Sequence, residues 1–139
     1  MFLTADLLGC GYFNAGKWQD DPKNWERAFG QKPPQEIEVV HSYYWRSAHW
    51  SYEYQYFFAL HGTQKARNIL LENDRFKKID QAVGKDVQDD HYTENAPSWF
   101  LPNKIDEYDI WILNDSSHPD FRMYIHKITG DVFMTDVQL

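Results

Sequence analysis

Ile37-Glu38-Val39-Val40-His41-Ser42-Tyr43-Tyr44-Trp45-Arg46 is followed, after Ser47-Ala48-His49, by Trp50-Ser51-Tyr52-Glu53-Tyr54-Gln55-Tyr56-Phe57-Phe58-Ala59-Leu60. Both runs alternate with period two. In the first, Ile37, Val39, His41, Tyr43 and Trp45 share one face, and Glu38, Val40, Ser42, Tyr44 and Arg46 the other. In the second, Trp50, Tyr52, Tyr54, Tyr56, Phe58 and Leu60 fall together. β-Branched and aromatic residues at this period favour strands, although Trp50, Tyr54, Phe57 and Phe58 also fit a helical spacing. The short link between the runs predicts a hairpin of 36–46 with 50–60.

Towards the N-terminus, residues 1–20 hold no sustained period and are expected to form a tether. Asp20 or Asp21 can cap a helix over 22–29, with Pro22 in its first turn, Trp25, Ala28 and Phe29 on one side, and Gly30 as its stop. Gln31-Lys32-Pro33-Pro34 is a stiff connector.

Towards the C-terminus, Gly62-Thr63 opens a helix predicted over 64–80. Ala66, Ile69, Leu70, Phe76 and Ile79 form its apolar stripe, interrupted at Asn73, and Gly84 closes it. Residues 85–98 are polar and irregular, and Ser98-Trp99-Phe100-Leu101-Pro102 is an apolar island expected to pack a loop on the core. Alternation then predicts strands over 108–114, 121–127 and 131–137, with Ile128-Thr129-Gly130 as a hairpin turn whose glycine takes positive φ. The expected fold is α+β. It has a single antiparallel sheet of about five strands, a hairpin followed by a three-stranded meander. One long helix packs on one face, and a short N-terminal helix precedes the hairpin. Residues 21–139 form a single domain.

Among the 139 residues, 14 Lys and Arg face 21 Asp and Glu, a net charge of −7. That balance repels phosphate backbones and argues against a nucleic-acid partner. No apolar run is long enough for a membrane-spanning helix. One cysteine, Cys10, excludes an intrachain disulfide and a Cys-based zinc site.

Leu7-Leu8-Gly9-Cys10 resembles a bacterial lipobox, with Leu three residues before Cys and a small residue just before it. The resemblance implies lipidation at Cys10, a cell-envelope location and membrane contact only through that anchor. Only nine residues precede Cys10, without Lys or Arg and with Asp6 where an apolar stretch should run, so this reading requires a start further upstream. A body otherwise free of cysteine tolerates an oxidising compartment. A cytoplasmic chain with Cys10 as ordinary packing is the alternative.

No sequence motif names a reaction. Six histidines occur, His41, His49, His61, His91, His118 and His126, without the spacing of a helical zinc pair. The acidic stretch 86–94 lacks the order of a calcium loop. Asp115-Ser116-Ser117-His118-Pro119-Asp120 holds the residue types of a catalytic triad, but a triad is a spatial arrangement, and these residues in a row make a turn. No cofactor or metal is implied.

The aromatic hairpin is the richest feature. The chain holds 6 Trp, 9 Tyr and 9 Phe. Buried tyrosines need hydroxyl partners, and Tyr, Trp and Arg dominate interface hot spots. Tyr44, Arg46, His49 and Trp50 are therefore the candidate binding residues. The expected function is a small non-catalytic interaction protein, of inhibitor or immunity type, that presents this surface to a protein or glycan partner or to a second copy in a homodimer. The alternative is a His-dependent hydrolase or lyase with a pocket between helix and sheet, His41, His126 and Asp109 being the first residues to test.

Overall fold

The computed structural model describes residues 15–48, 52–79, 95–102 and 104–139. Among them, seven strands form one antiparallel sheet: β1 (Gly16–Gln19), β2 (Val39–Arg46), β3 (Tyr54–Leu60), β4 (Phe76–Ile79), β5 (Tyr108–Leu113), β6 (Arg122–His126) and β7 (Val132–Gln138). Helix α1 (Asn24–Phe29) lies between β1 and β2, and α2 (Gln64–Leu71) between β3 and β4. The strand order is β1-β2-β3-β7-β6-β5-β4. The chain builds one half of the sheet, crosses through α2 to the far edge, and returns strand by strand until β7 seats beside β3.

The antiparallel α+β expectation holds, with seven strands instead of about five. Two strands lie where other structure was expected. Gly16–Gln19 pair with β2, so the end of the expected tether belongs to the sheet. The expected helix over 64–80 stops at Leu71. Asn73 and Asp74 take φ of 66° and 51°, a left-handed step that turns the chain into β4. Phe76 and Ile79 mislead because a spacing of three suits a helix stripe, yet in a strand it sends one residue to each face. Phe76 joins the helix-side core and Ile79 the opposite one. The expected stop at Gly84 and the acidic stretch 86–94 lie outside the described residues.

A β-bulge reverses the first alternation. Val39 pairs with Leu60 and His41 with Ala59, which leaves Val40 as the extra residue. Val39 therefore faces the helices, whereas His41, Tyr43 and Trp45 face away. Ser42, Tyr44 and Arg46 turn inward instead. The expected common face of Ile37, Val39, His41, Tyr43 and Trp45 is split at that point, and Tyr44 is only 2% exposed.

The sheet is covered on both sides. On the helix side, Trp25, Tyr44, Tyr56, Phe58, Leu60, Ala66, Leu70, Phe121, Met123, Val132 and Met134 make one core. On the other, Phe57, Phe100, Ile105, Tyr108, Ile110, Tyr124 and Phe133 make a second. Phe100 is the key of the second core, edge-on to Phe57, Tyr124 and Phe133, as the apolar island predicted.

Local signals hold at the ends of elements. Gly30 takes φ 77° and donates its N–H to Glu26 O at 2.8 Å, closing α1. Thr63 Oγ1 accepts the Ala66 N–H at 3.1 Å and caps α2. Gly130 takes φ 78° in the β6–β7 turn. A Cβ on Gly62 would lie 1.9 Å from Gly130 O, so the start of α2 and this turn meet backbone to backbone.

Candidate functional site

The inward alternation of β1, β2, β3 and β7 lays a row across four strands. Trp18 pairs with Tyr44, Tyr44 with Tyr56, and Tyr56 with Asp136. Tyr54 stands two residues before Tyr56 on the same face. The rings of Tyr44, Tyr54 and Tyr56 lie within 8° of parallel at centroid distances of 6.0–6.4 Å. Arg46 donates to the Tyr44 hydroxyl at 2.6 Å.

Asp136 is the exception in this row, a carboxylate 2% exposed at the position where Val132 and Met134 set an apolar pattern. A buried carboxylate needs hydrogen bonds to stay charged. Asp136 Oδ2 accepts from the Tyr54 hydroxyl at 2.9 Å and lies 3.2 Å from His118 Nδ1, and Oδ1 accepts the Val137 N–H at 2.9 Å. Burial pushes the Asp136 carboxyl above its ordinary value, and the Tyr54 bond, the neighbouring His118 and the Val137 N–H pull against that rise. Burial, and then Asp136, push the Tyr54 phenol far up, which keeps it protonated and donating. Tyr56 is raised for the same reasons.

His118 reaches Asp136 from the 114–121 turn. The Asp115 carboxylate accepts the Ser117 N–H at 2.9 Å and the Ser117 hydroxyl, which shapes the turn and holds Asp115 below the ordinary carboxylate value. His118 O accepts the Phe121 N–H at 3.2 Å. The His118 side chain is 48% exposed. His118 Nδ1 also lies 3.0 Å from the Tyr54 hydroxyl, and with Nδ1 engaged by Tyr54 and Asp136, Nε2 is the ring nitrogen available to a ligand.

His118 also lines a cavity of about 200 Å³ under the helices, walled by Trp25, Phe29, Tyr56, Phe76, Phe121 and Met134. Asp136 is not part of its wall, whereas its neighbour His118 is. A cavity, a buried acid and a histidine thus meet at one place.

The sequence-predicted residues are placed differently. Tyr44 is core, not surface, because the bulge turns it inward. Arg46 is half-buried, its guanidinium over the Tyr44 ring at 5.3 Å and the exposed Tyr52 ring at 5.7 Å. His49, Trp50 and Cys10 lie outside the described residues. His41 is stacked on Trp99 at 5.2 Å and 3.3 Å from Asp20. His126 Nδ1 accepts the Ile128 and Thr129 N–H groups at 3.2 and 3.1 Å, shaping the turn. Asp109 pairs with Lys78 at 3.6 Å. His41 and His126 are on the face away from the helices and Asp109 on the helix side, so the three do not converge.

His118 and Asp136 are the pair that sequence reasoning missed. The usable signal was a carboxylate in phase with Val132 and Met134, facing a core that would have to satisfy it. Its partner lay in a turn whose residue types were noted for local chemistry alone.

The fold and this cluster define an α+β protein with one antiparallel sheet and a polar site at the edge of a helix-side cavity. Comparison of the chain with models of known protein families, with curated proteins and with solved structures finds no match.

Proposed function

We propose that this protein is a small acid–base enzyme, a hydrolase or lyase, acting on a small molecule held in the helix-side cavity. One observation carries the reading: His118 lines the cavity while its Nδ1 lies 3.0 Å from the Tyr54 hydroxyl and 3.2 Å from the buried Asp136 carboxylate. With the Tyr54 hydrogen given to Asp136, the Tyr54 oxygen accepts from Nδ1–H, so that Nε2 accepts a proton from a substrate C–H or from an attacking water, and the nearby Asp136 carboxylate stabilises the imidazolium that forms. The imidazolium, half-exposed and exchanging its proton with solvent, then gives a proton to product or leaving group. Tyr54 favours the charged form of Asp136 against burial and fixes its position.

The test reads proton transfer on two general probes, neither of which has to be the natural substrate. Wild type and His118→Gln are incubated with cyclohexanone in D₂O, followed by NMR for deuterium at the α-carbons, and with p-nitrophenyl acetate for hydrolysis. A rate on either probe about 10²-fold above the variant supports the reading. Equal rates on both probes overturn it.

A second reading, a non-catalytic interaction protein with a protein or glycan partner, has its own observation. Val40 and Leu101, both more than half exposed, flank Trp99 and His41 around a shallow groove on the face away from the helices. Lipid anchoring at Cys10 is a separate proposal, tested by intact mass of the membrane fraction after expression with the native upstream region. Acyl mass on a chain beginning at Cys10 supports it, and an unmodified soluble chain overturns it.

A further inference from the structure

We infer that the ligand of the helix-side cavity is a single-ring compound carrying an anionic group of carboxylate type, and that Arg75 holds that group. The inference rests on the reading of this cavity as a small-molecule site and names the class of ligand it takes.

Size comes first. About 200 Å³ is less than the roughly 300–1,000 Å³ of pockets for drug-sized molecules, so the ligand is one ring with short substituents. The character of the wall comes second. Trp25, Phe29, Phe76 and Phe121 offer ring faces and edges, and flat rings pack on these at little entropic cost.

Charge decides the rest. The chain carries 21 Asp and Glu residues, yet none lies among the described residues of this wall. The polar side chains there are Gln31, Tyr56, His118 and Arg75, and Arg75 is the one that is always charged. Among the described residues, Arg75 forms no ion pair with a carboxylate.

The backbone places Arg75 on the same cavity wall as His118. The left-handed step at Asn73 and Asp74 delivers Arg75 to the start of β4. Arg75 O accepts the Asn114 N–H at 2.9 Å, and the Asn114 amide donates to Asp74 O. Asn114 begins the turn that carries His118. The Arg75 guanidinium lies 5.4 Å from the centre of the Phe76 ring, and Phe76 stacks on Phe121 at 5.6 Å. Two segments pinned together thus bring one fixed cation and one histidine to the same apolar wall. A guanidinium pairs two-pronged with a carboxylate, whereas a neutral amide offers it one oxygen and no charge.

The full chain is titrated by calorimetry with benzoate and cyclohexanecarboxylate, and with their neutral counterparts benzamide and cyclohexanecarboxamide. Three proteins are compared: wild type, Arg75→Gln, and Ala28→Phe, which narrows the cavity. We expect wild type to bind the carboxylates about tenfold or more tighter than the amides. Arg75→Gln removes that preference and leaves amide affinity as it was, and Ala28→Phe weakens both classes. Equal binding of acids and amides to wild type, or equal weakening of both by Arg75→Gln, overturns the anion assignment while the cavity stands as a ligand site. No binding of either class at millimolar concentration, or binding unaffected by Ala28→Phe, overturns the cavity reading and this inference with it.

Discussion

The two faces of the sheet are built from the same strands, yet one is a packed core and the other a core that holds a buried carboxylate beside a cavity. On the face away from the helices, Phe57, Phe100, Tyr108, Tyr124 and Phe133 interlock edge to face, and the groove beside them at His41 and Trp99 is shallow. On the helix side, the same alternation places Asp136 in line with Val132 and Met134, and the helices leave a cavity beside His118. Aromatic content is high on both sides. What separates them is one carboxylate in an apolar register and a covering layer of short helices that does not fill the space.

The largest effect expected from breaking this contrast is on the packed face. Phe57 has no exposed surface, and Phe57→Ala should cost about 3–5 kcal/mol in urea unfolding. On the helix side, Tyr54→Phe removes a donor from a buried carboxylate and should cost roughly 1.5–3 kcal/mol by the same measurement. Gly62→Ala tests the junction between the halves of the chain. Its Cβ meets the Gly130 carbonyl, backbone must shift, and a loss of about 1–3 kcal/mol is expected. Thr63→Ala removes the cap of α2, with an expected cost near 1 kcal/mol.

The sharpest comparison is in pH. Asp136 binds its proton more readily folded than unfolded. Its contribution to stability is fully present below the ordinary carboxylate value of 3.8 and is lost as pH rises through its raised folded value. Asp21 and Asp115 behave oppositely, since both are lowered by hydrogen bonds in the fold and lose stabilisation as pH falls. Asp136→Asn isolates the first effect. The stability of wild type relative to this variant should rise as pH is lowered from neutral towards 4, and a difference that stays flat would remove the buried-carboxylate account.

Much of the fold was legible because its signals are local. Period-two runs located β2, β3, β5, β6 and β7, Gly30 and Gly130 marked turns, and Trp99-Phe100 marked the loop on the far core. Two short strands escaped. Gly16–Gln19 carries too few residues to show a period, and Phe76–Ile79 imitates a helix stripe. The candidate site was less legible for a related reason. Tyr44 looked like surface because one extra residue, Val40, shifts the pleat, and a bulge leaves no mark in a hydrophobic pattern.

The sequence by itself determined the strand-rich α+β class, the aromatic weight of the hairpin and the exclusion of a strongly basic surface. These follow from composition and from neighbours a few residues apart. Only the tertiary structure decided which face Tyr44 takes, that Tyr54 meets Asp136 across 82 residues, and that His118 and Arg75 reach one cavity. Those contacts depend on β7 returning to pair with β3 after the chain has crossed the whole sheet. A one-residue change in that pairing register would send Asp136 to the opposite face, and no local pattern records it.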